Sequence, residues 1–322
     1  MKKFFCVVLS IVLCAVIFSS CGAGGRIKKN DDGGKISVVC LIFPQYDWVK
    51  NVIGDKTDIF DITLLISNGA DMHSYQPSYE DILKARNADI FMFVGGESDE
   101  WASEAAEENN NENRIDINLM EITADSAIEE QTGVNSKKGD EEEKEYDEHV
   151  FLSLKNAEKF VGAISQAVCE KDEENAAEYR KNAENYISEL RNLDERYEET
   201  VRNSKLDTII FPDRFPFIYL FTDYNIKYYA AFAGCSAESE ASFNTMIYLI
   251  EKVDEIGTEY VMTIDGSDKK LAETVVRNAK KKNIRILTLD SMQSVSLDDI
   301  DSGETYLSVM EKNLEMIKKA LN

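Results

Sequence analysis

From Ile36 onward the chain alternates short apolar runs with amphipathic stretches. The runs fall at Ile36 to Phe43, Ile59 to Ile66 and Ile90 to Val94, with helical periodicity between them at Gln45 to Gly54 and Ser78 to Asn87. Apolar runs of this length, bounded by turns, suit strands buried on both faces, which occur in parallel sheets covered by helices. The pattern resumes after Lys205: strands are predicted at Thr208 to Phe211, Val261 to Ile264 and Ile284 to Leu289, and helices at Ala241 to Ile256, Lys270 to Lys282 and Thr305 to Leu321. The fold class expected is therefore α/β, with two doubly wound lobes and mostly parallel sheets. Between the lobes, apolar or small residues recur at Ala176, Tyr179, Ala183, Tyr186, Leu190, Leu193 and Tyr197, at alternating spacings of 3 and 4. That spacing predicts one long amphipathic helix over Glu173 to Lys205, N-capped by Asp172 and uninterrupted by Gly or Pro. Such a connector is stiffer than crossing strands and resists a wide hinge closure.

The N-terminal end has a different character. Lys2 and Lys3 precede an apolar stretch from Phe4 to Phe18, and the small residues Ser19 and Ser20 lead to Cys21. This is the order of a secretory signal peptide, and the apolar run is shorter than a spanning helix requires. The cysteine after two small residues resembles a bacterial lipobox, which makes Cys21 the expected site of lipidation. Phe18 departs from the usual Leu, Val or Ile three positions earlier, so cleavage by an ordinary signal peptidase is the alternative. The glycine-rich polar stretch after Cys21 reads as a flexible tether. The organisation expected is a signal peptide at 1–20, a tether at 21–35, an N-terminal lobe at 36–155, connecting helices at 156–205 and a C-terminal lobe at 206–322. Within the first lobe, 124–148 lacks periodicity and reads as a disordered acidic loop, with seven carboxylates in the nine residues from Asp140 to Glu148.

Acidic residues outnumber basic ones 60 to 36, a net charge of −24, which excludes a nucleic-acid partner because phosphate binding needs clustered Lys and Arg. An acidic excess suits cation handling and equally suits simple solubility of an exported protein. The mature body holds Cys40, Cys169 and Cys235, an odd number without a C-x-x-C spacing. Each is expected to pack as a small apolar residue, with a single bridge between two of them as the alternative.

There are only two histidines, His73 and His149, each in a polar, acid-flanked segment. Neutral imidazole is the commonest nitrogen ligand for a divalent transition metal, and zinc sites combine it with thiolates or carboxylates. The segment Gly69-Ala70-Asp71-Met72-His73-Ser74-Tyr75-Gln76-Pro77-Ser78 is similar to the G-x-D-P-H-x-Y-x-P-T run of metal-binding solute-binding proteins of ABC importers, the zinc and manganese class with two α/β lobes joined by one long helix. Asp147-Glu148-His149-Val150-Phe151-Leu152-Ser153 resembles the same family's D-x-H-x-W-L-D/S segment. The resemblance covers nearly the whole mature chain and makes His73 and His149 two metal ligands, with Ser78 and Asp81 forming a capping box on the next helix. Gly95, Gly96 and Trp101 resemble an inter-lobe packing feature, with Trp101 expected in the core. Met72 stands where the family has proline. At the third ligand position the family's H-x-A-F-x-Y segment is replaced by Phe211-Pro212-Asp213-Arg214-Phe215-Pro216-Phe217; Pro212 cannot ligate through its side chain, and Asp213 is the nearest donor. Asp265, at the end of the strand Val261 to Ile264, matches the family's strand-end acid, a place where open α/β sheets bind ligands. Asp268 competes for that role but is better suited to capping the next helix. Glu240, in a segment resembling the family's E-P-S, reads as a supporting residue.

The resemblance implies a lipid-anchored, extracytoplasmic binding protein, not an enzyme. It would capture Zn2+, or secondarily Mn2+, on His73, His149, Asp213 and Asp265 and deliver it to an ABC permease with its ATPase subunit, the protein itself being monomeric. Two neutral imidazoles and two carboxylates would leave a divalent cation with no net charge, which suits burial. Two alternatives remain at this point: a surface adhesin or structural lipoprotein whose site has decayed at Pro212, and a metal-dependent hydrolase. The second lacks an H-E-x-x-H helix, a G-x-S-x-G elbow and a P-loop.

Overall fold

The structure is a computed structural model that describes residues 34–108, 111–130, 145–236 and 241–322. The signal peptide and Cys21, all but the last two residues of the tether, the 131–144 part of the acidic loop and Glu240 lie outside the described residues.

The first strand is β1 (Ile36–Cys40), whose last three residues are buried, and the chain turns at once into α1 (Phe43–Ile53). The predicted first strand ends early because Pro44 sits in the first turn of that helix, where a missing N–H costs nothing, and Gln45 accepts the N–H groups of Leu41 and Ile42. β2 (Phe60–Leu64), α2 (Tyr79–Asn87), β3 (Ile90–Phe93), α3 (Glu100–Glu107) and β4 (Ile115–Asn118) complete a four-stranded, all-parallel sheet in the order β2-β1-β3-β4. The capping box at Ser78 and Asp81 starts α2: Asp81 N–H donates to Ser78 Oγ at 3.2 Å and Ser78 N–H to Asp81 Oδ2 at 2.9 Å.

Two helices then cross the molecule. α4 (Leu154–Lys171) is followed by a single 3-10 turn and by α5 (Ala176–Arg202). The buried side chains of α5 are Ala176, Tyr179, Ala183, Tyr186, Leu190, Leu193 and Tyr197, the same seven positions that carry the sequence periodicity. Asp172 does not cap this helix through its side chain. Its Oδ2 instead accepts the Tyr179 hydroxyl at 2.6 Å and the Asn175 side-chain amide at 2.7 Å, and the 3-10 turn separates it from the first α-helical residue. α5 packs on both α1 and α4 and, farther along, on the C-terminal helix.

The second half contributes β5 (Thr208–Phe215), α6 (Ile218–Asp223), β6 (Lys227–Ala233), α7 (Phe243–Ile256), β7 (Tyr260–Ile264), α8 (Lys270–Asn278), β8 (Arg285–Leu289) and α9 (Tyr306–Ala320). Its strands pair in parallel as β5-β6 and β7-β8, and β5 also lies against β7. β5 runs past Phe211, beyond its predicted end, because a bulge between Phe211 and Arg214 accommodates Pro212, which has no N–H for the ladder. Asp268 accepts the Lys270 N–H at 3.0 Å, the helix-starting role expected of it. Cys40 and Cys169 are buried, Cys235 is half-buried, and all three are free thiols. Trp101 is half-buried, its ring 6.3 Å from that of Tyr75, so the expectation of a core position is only partly met. Among the described residues no helix is long and apolar enough to cross a membrane.

One carboxylate ties the crossing helix to elements far apart in the chain. Asp47 on α1 is 6% exposed; its Oδ2 accepts the Tyr186 hydroxyl of α5 at 3.1 Å and the first N–H of α9, that of Tyr306, at 3.2 Å. Burial pushes its pKa up to about 6 despite those two bonds. Asp47→Ala would leave both buried donors unpaired, and we expect it to lower unfolding stability by about 3 kcal/mol in a urea titration.

Candidate metal centre

Both histidines are presented by short 3-10 turns on the first half of the chain. Asp71 caps the turn Met72–Ser74 by accepting the His73 N–H at 3.0 Å, and Met72 is buried beneath it. His149 leads into the turn Val150–Leu152 and is fully buried. The turns bring residues 76 positions apart to a 3.1 Å approach between His73 Nε2 and His149 Nε2.

Each ring is held from behind. His149 Nδ1 lies 3.0 Å from Asp147 Oδ1, and the same oxygen accepts the His149 backbone N–H at 2.9 Å. A carboxylate can only accept, so the proton of neutral His149 is on Nδ1 and the Nε2 lone pair faces His73. His73 Nδ1 meets Ser98 Oγ at 2.6 Å. A serine hydroxyl can donate or accept, so Ser98 serves either tautomer. With its proton on Nε2, His73 can donate across the 3.1 Å gap; with Ser98 accepting from Nδ1 instead, both Nε2 lone pairs turn to the same point. Two nitrogens bound at ~2.05 Å to a tetrahedral zinc are roughly 3.3 Å apart, so the observed spacing needs almost no change.

The supporting loop is assembled from the end of β3. Asp99 is buried and accepts the N–H groups of Val94, Gly95 and Gly96 at 2.7 to 2.9 Å. Gly95 has φ +91°, and a Cβ there would lie 2.1 Å from Asn118 Oδ1, so only glycine fits. Glu148 accepts the Ser98 N–H at 2.9 Å and so fixes the residue that orients His73. Burial and the neighbouring His149 hold the His73 imidazole down to about 4, well below its usual 6.5, and it is neutral at physiological pH.

These contacts revise the acidic-loop expectation at both of its ends. Ala124 to Ser126 form a 3-10 turn, Glu129 bridges to Tyr146, and Asp147 and Glu148 are 1% and 3% exposed. Charge density suggested solvation, but inside the protein Asp147 accepts the backbone and ring N–H groups of His149, and Glu148 Oε1 accepts the Ser98 N–H.

The aspartates predicted to finish the site lie elsewhere. Among the described residues, the only group of three metal-ligating side chains that includes the histidines is His73, His149 and Cys235, their ligand atoms all within 4.8 Å of one another. Asp213 and Asp265 line a cavity of about 710 Å³ with Gly69, Asp71, Arg214 and Ser267. The β5 bulge turns Asp213 so that its Oδ1 accepts the Arg214 N–H at 2.9 Å, and burial raises its pKa. Asp265 Oδ1 takes the N–H and hydroxyl of Ser291 at 2.7 and 2.8 Å, and its Oδ2 accepts the Ser294 hydroxyl.

Arg214, next to Asp213, faces the turn that carries His73. Its Nη2 lies 2.7 Å from Asp71 Oδ2, which holds Asp71 below its usual range against the opposing effect of burial. The pair joins the second half of the chain to the turn that carries His73, and the carboxylate offsets a fixed positive charge beside the histidines.

Cys235 stands out only in the structure, because a lone cysteine without a spaced partner carries no sequence signal. It follows β6, and only the fold puts that strand end beside His149. Burial and the charges of Asp147 and Glu130 raise its thiol pKa.

Known proteins share this frame. A family model described as zinc-uptake complex component A, periplasmic (ZnuA), matches residues 38–320. The chain is 28% identical to the zinc-binding lipoprotein AdcA of Streptococcus pneumoniae over 323 residues, 99% of this chain but 61% of that relative, so it spans about three-fifths of the relative's length. It is 26% identical to the high-affinity zinc uptake system protein ZnuA of Bacillus subtilis, over 97% of this chain and 96% of that one. The crystal structure of the Zn(II)-bound ZnuA-like domain of Streptococcus pneumoniae AdcA superposes with a TM-score of 0.69 at 28% identity, covering 89% of this chain and 99% of that domain. With a match extending over nearly the whole described body and two rings already set at ligand spacing, the chain belongs to the ZnuA family of zinc-uptake components.

Proposed function

We propose that this chain is the extracytoplasmic receptor of an ABC-type metal importer, capturing Zn2+ on His73 and His149 and passing it to a membrane permease driven by an ATPase subunit. The observation that carries this reading is the 3.1 Å approach of the two Nε2 atoms, with Asp147 and Ser98 behind the rings. A general acid or base needs one titrating imidazole facing a reactant, whereas two imidazoles turned on each other make a ligand pair. It is a binding protein and not an enzyme, in keeping with its family. Zn2+ is favoured over Mn2+ because imidazole suits the first and carboxylate-rich shells the second. Names of relatives support the same cargo, since AdcA is called zinc-binding and ZnuA a zinc uptake protein.

Asp213 and Asp265 serve this reading as the acidic wall of the adjoining cavity. Of the aspartates lining it, Asp71 is bridged to Arg214 and Asp268 to Lys270, whereas Asp213 and Asp265 bridge to no cation among the described residues. They are positioned to draw a divalent ion towards the histidines and to complete its shell when the two halves of the chain shift. The receptor acts as a monomer held at the outer face of the cell membrane by a lipid on Cys21, after removal of residues 1–20, with 21–35 as its tether.

The affinity consequence is direct. His73→Ala and His149→Ala should each weaken Zn2+ binding more than about 100-fold in competition with a chromogenic chelator, beyond the 10- to 100-fold typical of losing an orienting group, and Asp147→Ala should fall within that smaller range. Wild-type affinity for both variants would sink the proposal.

A pH signature accompanies it. His73 is held at about 4 in the folded chain against 6.5 when free, so the unfolded chain takes up its proton first; the stabilisation from neutral His73 is complete above 6.5 and is lost as pH falls towards 4. We expect the metal-free wild type to lose more melting temperature than His73→Gln between pH 7 and pH 4, and Zn2+ affinity to fall over the same interval as protons compete for the imidazoles. Differential scanning fluorimetry with and without Zn2+ measures both.

A further inference from the structure

We propose that Cys235 is the third protein ligand of the metal, so that the cation is held by two imidazoles and a thiolate. This rests on the reading of His73 and His149 as the cargo site. The ligand atoms of His73, His149 and Cys235 lie within 4.8 Å of one another. A tetrahedral zinc holds nitrogen and sulfur roughly 3.6 Å apart, so the closing movement is at most about 1.2 Å, within reach of a cysteine rotamer change.

The approach is built into the backbone. β6 ends at Ala233, and Gly234 lies so close to the histidine turn that a Cβ would stand 3.0 Å from Asp147 Oδ2, His149 Cε1 and the Phe215 carbonyl oxygen at once. Glycine at this place lets the strand end come alongside His149 and sets Cys235 beside the two Nε2 atoms. The register is fixed from the other side by Glu130, whose Oε1 accepts the Cys235 N–H at 2.9 Å. Phe215, at the end of the neighbouring strand β5, is aligned with Ala233. Two strand ends and the bridged residues at the edge of the acidic segment thus converge on one sulfur.

The chemistry is balanced. As the metal enters, the Sγ–metal bond forms and the thiol proton leaves to solvent, giving one thiolate and two neutral imidazoles around a dication. The remaining positive charge faces Asp147 and Glu130, whose carboxylates form with the same sulfur a second group within 4.8 Å. A fourth position is left for water or for a carboxylate from the cavity, which suits a carrier that must release its cargo. A soft thiolate also sharpens selection: it favours zinc and cobalt over manganese, which prefers oxygen ligands.

Cobalt substitution of the full-length chain tests the assignment. Co2+-loaded wild type should show a sulfur-to-cobalt charge-transfer band in the near ultraviolet. Cys235→Ser should lose the band while still binding Co2+ through the histidines, should bind Zn2+ at least about tenfold more weakly, and should change little towards Mn2+. Because a serine could disturb the loop, the wild type provides a second readout: iodoacetamide labelling of the Cys235 peptide, followed by mass spectrometry, should be suppressed by saturating Zn2+ and restored by a chelator. Co2+ uptake without the band, or labelling unaffected by bound Zn2+, overturns the thiolate ligand and leaves the two-histidine receptor standing. Failure of the wild type to take up either Zn2+ or Co2+ overturns both.

Discussion

The gap between two imidazole nitrogens sets the terms for the rest of this protein. At 3.1 Å, His73 and His149 are within reach of a shared proton and almost as far apart as a tetrahedral metal requires. Exchange of that proton for a cation needs no large displacement of either ring. It does need both Nδ1 atoms to be engaged elsewhere, and the surrounding structure meets that condition. Asp147 fixes one tautomer, Ser98 permits the other to change, and burial keeps His73 uncharged.

Those supports come from separate places in the chain, so the site depends on the whole fold. Ser98 is held by Glu148, Asp71 by Arg214 from the second half, and Asp147 by the turn it shares with His149. The Tyr219 hydroxyl adds a further tie, donating to the Asp147 carbonyl oxygen at 3.0 Å while accepting the Ile128 N–H. Below the site, α5 runs its apolar face along α1, α4 and α9, and the Asp47 carboxylate pins three of those four helices together. Such a spine resists wide rotation, because a large movement would break the buried bonds of Asp47.

Much of this was legible in the residues. The 3-and-4 spacing along α5 named every buried position on that helix, because a single amphipathic helix has only one way to turn its apolar stripe inward. The Ser78 and Asp81 cap and the strands β1, β2, β3, β7 and β8 were readable to within a few residues for the same local reason. β4, β6 and α3 were overlooked: β4 carries two polar residues in four, β6 begins with Lys227 and two tyrosines, and α3 is short and acidic, so none presents a clean apolar run.

The sequence by itself determined the fold class, the connecting helix and the importance of two scarce histidines, since these rest on periodicity, local capping and intrinsic side-chain chemistry. The tertiary structure alone decided what surrounds those histidines. It turned Asp213 and Asp265 towards backbone and serine partners in a neighbouring cavity, made Arg214 and Asp71 a pair, buried two acids of a charge-rich segment, and placed Cys235 beside the rings. The reason is geometric: a strand bulge beside Pro212 and the missing side chain at Gly234 set where Asp213 and Cys235 come to lie. Such placements depend on how distant strand ends pack, and spacing along the chain does not record them.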